Sequence, residues 1–222
     1  MSSLPSMPRI RRAALVSFDP GNPAAGVIPF QYNPAQLHRS LVPQLAPEDS
    51  GASQAQRITG PPRESISLEV ELDAADLPAQ PSVAGLNLGL HPQLAALELL
   101  LYPKAATVLR NVILNRLGVI EVLAPQAPLT VLVWGVKRVV PVRLVNFSVS
   151  EDAYDMDLNP SRATVSLSLE VLTYQDLPPT NLGFGLYIAH QLAKEALAAV
   201  GGTLAAVPGL ATIGANPRLL LG

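Results

Sequence analysis

The chain has 222 residues, no cysteine, a formal net charge of −2, and 14% charged against 49% hydrophobic residues. Disulfides and thiolate metal sites are excluded by composition, and no basic run beyond Arg9, Arg11 and Arg12 offers a field for nucleic acid. Charged residues make up about a quarter of an average soluble domain; a soluble monomer is compatible with the deficit, but a subunit that covers much of its surface with copies or partners explains it better.

In chain order, residues 14–18 and 27–31 read as strands. The apolar run after Arg12 is cut short by Asp19 and Pro20, so no signal peptide is expected. Residues 46–62 are rich in Ser, Gln, Gly and Pro and read as a mobile loop. Ile66, Leu68, Val70 and Leu72 alternate with Ser65, Ser67, Glu69 and Glu71, the pattern of a half-buried strand. Residues 77–90 read as a loop. Pro92 suits a first helical turn and is followed by a stripe of Leu94, Leu97 and Leu101. A second helix is predicted over 105–117, stopped by Gly118.

Residues 119–123 read as a strand, and 129–134 as a central strand that is apolar on both faces. Val140, Val142 and Leu144 share one phase, and Val145, Phe147 and Val149 the other, so 139–150 predicts a strand bent by a bulge at Leu144–Val145. Val165, Leu167, Leu169 and Val171 alternate with Thr164, Ser166, Ser168 and Glu170 in a further half-buried strand. An alanine-rich helix is expected over 185–200, ending at Gly201–Gly202. An apolar tail follows, too broken by Gly and Pro for a membrane span. The 22 prolines argue against long helices.

Chemistry is scarce. His38, His91 and His190 are scattered, and no nucleophile elbow, phosphate loop or zinc pair occurs. Asp155, Asp157 and Asn159 have the opening spacing of a calcium loop, but Pro160 stands where glycine is required and Ser166 where glutamate belongs. Asn146-Phe147-Ser148 is a glycosylation sequon inside a predicted strand and is discounted. No enzyme, metal or cofactor is expected.

Four stretches carry a resemblance. The first is Phe30-Gln31-Tyr32-Asn33-Pro34, continuing to Leu37 and Arg39. The second is Gly60-Pro61-Pro62 with Glu64, leading into the strand that ends at Leu72-Asp73. The third is the run from Leu94 to Leu100. The fourth starts at Val133-Trp134-Gly135, resumes at Phe147-Ser148 and Tyr154-Asp155, and closes with Leu158-Asn159-Pro160-Ser161-Arg162-Ala163. Over residues 13–176 the chain resembles the tube-type domain of contractile injection systems, the phage-tail-like particles in which this domain often precedes a LysM module of a baseplate protein.

The resemblance implies a mainly β fold: a tail-tube-like antiparallel β barrel or sandwich with one or two packed helices, over residues 1–180. Residues 181–222 would form a C-terminal helical and apolar extension. It also implies a six-fold homo-oligomeric ring whose sheets join side by side. Phe30, Tyr32, Asn33, Pro34, Trp134, Gly135, Asn159, Pro160 and Arg162 are the candidate assembly and fold residues. The expected role is an inner-baseplate or tube-initiating adaptor between spike hub and tube, assembled in the cytoplasm. An inner-tube or cap subunit is the alternative, and a cell-wall or glycan-binding module is a reading from another class. No LysM module follows, so that module's peptidoglycan attachment is not carried over. The tail packs on its own domain, docks on a neighbouring subunit, or inserts into a membrane; the sequence leaves the three open.

Overall fold

Period-two alternation builds the sheet. In the computed structural model, which describes residues 11–19, 22–45, 57–77, 88–102, 105–116 and 127–204, strand β4 will be Ile58–Asp73 and strand β7 Pro160–Val171. They pair antiparallel with Ile66 opposite Leu169, Leu68 opposite Leu167, Val70 opposite Val165 and Leu72 opposite Ala163. All eight side chains are buried on one face. The other face presents Ser67, Glu69 and Glu71 to solvent, and Ser166 donates to Glu69 across the strands at 3.3 Å. One such face buried and one wet is the normal economy of an antiparallel sheet.

Strands β1 (Ala14–Asp19), β2 (Asn22–Pro29), β3 (Leu37–Leu45), β5 (Leu129–Val133) and β6 (Val139–Tyr154) complete a seven-stranded antiparallel sheet in the order β2-β1-β5-β6-β7-β4-β3. β6 is shared by two halves. Its first residues, 139–142, pair with β5, and the stretch from Val142 to Tyr154 pairs with β7. The register slips between Leu144 and Asn146, which leaves Val145 unpaired and 63% exposed. The extra residue is the predicted bulge, and it lets the buried phase pass from Val140 and Val142 to Phe147 and Val149.

Leu15 and Phe30 from the β1–β2 end share one core with Val70 and Leu72 from β4. The sheet therefore curls until its two halves oppose each other. The mainly β, antiparallel fold is as expected from the sequence. It takes the form of one curled sheet that is not closed, with β2 and β3 as its edges.

The boundaries differ from expectation in four places. Residues 58–62 belong to β4 rather than to a loop. β3 was not predicted, because Pro43 and the exposed Leu41 and Val42 blur its alternation. Helix α1 (His91–Glu98) begins with Pro92 in its first turn but buries Leu94 and Leu97; the chain turns after Glu98, so Leu100 is buried and Leu101 exposed. Helix α3 (Leu182–Leu204) runs through Gly201–Gly202, because neither glycine forces a break inside a helix already propagating.

The Asn181 carboxamide caps the start of α3, accepting from the Gly183 N–H at 2.8 Å. Tyr187 then anchors the helix in the core, with its ring edge-on to Tyr174 at 6.0 Å. Helix α2 (Ala105–Arg116) leaves Val108, Leu109, Val112 and Ile113 exposed. The strand predicted over 119–123 lies outside the described residues, as do residues 46–56 of the expected loop, 78–87 of the next one and the tail beyond Leu204. No helix among the described residues is long and apolar enough to cross a membrane.

Candidate assembly site

Three of the four resembling stretches meet where the ends of β2, β4 and β7 come together. Phe30 is 1% exposed, and its N–H donates to the Ala13 carbonyl at 2.8 Å. Asn33 clamps the segment before β1: its Oδ1 accepts from the Ala13 N–H at 2.8 Å and its Nδ2 donates to the Arg11 carbonyl at 2.9 Å. Gln31 makes the same two-sided contact with the backbone of Asp73, at 2.7 and 3.0 Å. Between them, the Tyr32 hydroxyl donates to the Asp76 carboxylate, and that anion raises the phenol above its ordinary pKa. Pro34 sits half-buried in the connection to β3.

Asp73 is the hub. Its Oδ1 caps the short 3-10 turn Ala74–Asp76 by accepting from the Ala75 N–H at 2.9 Å. Its Oδ2 accepts from Arg162 Nε and Nη2 at 3.3 and 3.1 Å. The backbone donor first, and Arg162 second, hold the carboxyl below the usual range.

Asn159 and Pro160 close the adjoining β6–β7 turn. Asp155 Oδ1 accepts from the N–H groups of Asp157 and Asn159 at 2.9 and 2.8 Å, and its Oδ2 accepts from the Asn159 carboxamide at 2.9 Å. The calcium-like spacing thus serves a self-capped turn, and these donors, Asn159 foremost, lower the Asp155 pKa. Pro160 is buried, and its carbonyl accepts from the Leu90 N–H at 2.9 Å, which docks the start of α1. Gly89 allows that approach: its φ is +51°, and a Cβ there would stand 2.5 Å from the Pro160 oxygen.

Trp134 and Gly135 are not part of this junction. They form the β5–β6 turn, where the Trp134 N–H donates to the Arg138 carbonyl at 2.7 Å and Gly135 takes φ +70°. Trp134 is half-buried against the core, just beyond the end of β5. It lines a cleft of about 330 Å³ with Arg39, Lys137, Arg138, His190 and Lys194.

Beneath the cleft lies Glu64, whose side chain is 7% exposed and is paired with Arg39 at 2.6 Å and Lys194 at 3.4 Å. Glu64 lies in the same phase as Ile66, Leu68, Val70 and Leu72, so extending the alternation one step back would have revealed an inward carboxylate that needs cations. Arg39 answers it from opposite Ile66, one step along from Glu64's own partner Leu41. Lys194 comes from α3, and nothing local announces it. Gln31 and Asp73 stood within the resembling stretches without any sign that they bind each other.

No family model matches the chain, and no curated protein matches it.

Proposed function

We propose that this chain is a structural subunit of a phage-tail-like contractile injection particle, an inner-baseplate or tube-initiating adaptor that works as a six-fold ring. The observation that carries the reading is the open sheet, whose edges β2 and β3 have no further strand paired to them among the described residues. An unpaired strand edge is a template for another chain, and a ring of copies leaves none exposed. The β3 edge carries exposed Leu41, Val42 and Leu45, with Ile58 of β4 exposed opposite Leu45, and only Pro43 and the register shifts beside Gln44 interrupt it there. The low charge content of the chain and the four resembling stretches support the same reading.

On this reading β3 of one copy pairs with β2 of the next. The polar outer faces of β4 and β7, with Ser67, Glu69, Ser166 and Ser168, then lie on one continuous surface. Cryo-electron microscopy of particles recovered through a tag on this chain tests the proposal. A ring between spike and tube is the expected result. Tubes assembled normally in cells lacking the chain would sink it. Val42→Lys places a charge on the edge and is expected to abolish the ring while leaving the melting temperature unchanged.

A further inference from the structure

β6 carries a different surface at each of its ends. At the first end lies the cleft between the β5–β6 turn and α3. Arg39 and Lys194 are held there by Glu64, whereas the Lys137 and Arg138 side chains have no ion pair or hydrogen bond among the described residues. Four cations thus share one carboxylate. Burial, then Arg39, lowers the pKa of the Arg138 guanidinium, which stays charged, and burial, then Lys194, lowers that of the His190 imidazole. His190 Nδ1 is buried without a hydrogen-bond partner among the described residues. An apolar groove of about 380 Å³, walled by Val136, Val139, Leu186 and Ala196, continues from the cleft past His190. A ligand suited to both parts carries a carboxylate beside aliphatic side chains.

At the other end, the β6–β7 turn offers that combination. Met156 is fully exposed, Leu158 is 77% exposed and Tyr154 is 53% exposed. Glu151, Asp152 and Asp157 stand exposed around them. Leu158 has φ +61°, a left-handed conformation costly for leucine. That conformation closes the turn, with the Leu158 N–H donating to the Asp155 carbonyl at 3.2 Å, and it leaves the large apolar side chains of Met156 and Leu158 out in water, the mark of a contact surface.

We propose that the β6–β7 turn of one copy docks in the cleft of a second copy, Asp157 meeting Lys137 and Arg138 while Met156 and Leu158 enter the apolar groove. The two surfaces lie at opposite ends of a strand of 16 residues, roughly 50 Å when extended, so a chain does not reach its own cleft. The contact is head-to-tail and therefore repeats. It runs along β6, whereas edge pairing runs across the sheet, and it stands independently of the particle reading.

Sedimentation velocity in the Val42→Lys background, where edge pairing is blocked, isolates this contact. The cleft variant carries Lys137→Glu and Arg138→Glu; the tip variant carries Met156→Ser and Asp157→Asn. Both sets sit on exposed or turn positions, and circular dichroism checks that each folds. The parent is expected to self-associate in a salt-sensitive way, and each variant alone at least tenfold more weakly. An equimolar mixture is expected to form a one-to-one dimer, because one intact tip then meets one intact cleft. A mixture that does not pair overturns the proposal, as does undiminished association of either variant. Inorganic phosphate that shifts the His190 resonances while the two variants fail to pair would make the cleft a small-anion site and also overturn it. Absence of a ring from the unmutated chain, with end-to-end pairing intact, would count against the particle reading alone.

Discussion

Gln31 holds the backbone of Asp73 from both sides: its Nε2 donates to the Asp73 carbonyl at 2.7 Å, and its Oε1 accepts from the Asp73 N–H at 3.0 Å. The two residues are 42 positions apart, at the ends of β2 and β4. Among the described residues no ladder joins those strands, so this pair, with the Tyr32–Asp76 hydrogen bond beside it, helps fasten the curled sheet to itself. Gln31→Ala leaves both backbone groups without a protein partner at a half-buried site. A loss of about 1–3 kcal/mol is expected, read as a lower urea midpoint with an unchanged m-value.

Gly89→Ala tests the docking of α1. The new methyl would meet the Pro160 carbonyl oxygen at 2.5 Å, in a backbone conformation that disfavours any Cβ. A cost of about 2 kcal/mol or more is expected from strain and the displaced Leu90–Pro160 hydrogen bond. Faster hydrogen exchange confined to α1 would be the local signature.

Trp134→Ala distinguishes a strand-end residue from a core one. Truncating a fully buried tryptophan costs roughly 3–5 kcal/mol. Trp134 is half-buried, so about 2 kcal/mol is expected. A thermal melt decides between the two values.

Glu64→Gln and Glu170→Gln should differ although each removes one carboxylate. Glu64 is 7% exposed between Arg39 and Lys194, whereas Glu170 is 30% exposed beside an Arg143 that is 62% exposed. Breaking the first leaves partly buried cations uncompensated, at about 2–3 kcal/mol. The second is a surface pair worth less than about 1 kcal/mol. Parallel chemical denaturation of the two variants gives the comparison.

Acid should loosen the junction before the rest of the sheet. Asp73 and Asp155 both have folded pKa values lowered by hydrogen bonds to the charged form. A depressed carboxylate adds stability above its unfolded pKa, near 4, and that contribution is lost as pH falls through the folded value. The urea midpoint is therefore expected to fall with pH below about 4. Asp155→Asn should flatten that slope, and an unchanged slope would show that the turn does not depend on the ionised form.

Much of the sheet was legible in the chain. The inward rows of β4 and β7, the bulge at Val145 and the doubly apolar β5 follow from alternation, a property of residues two apart. β3 was not legible, because its side chains are largely exposed and their pattern carries no burial signal. Among the candidate residues, Asn33, Asn159 and Pro160 could be read as turn formers, since their preferences act within a few bonds. The pairing of Asp73 with Gln31 and Arg162, and of Glu64 with Lys194, joins residues 42, 89 and 130 positions apart. Local sequence determined which segments alternate, turn or coil. Only the curl of the sheet decided which polar groups meet, because desolvation and hydrogen bonding depend on neighbours in space that no local pattern specifies.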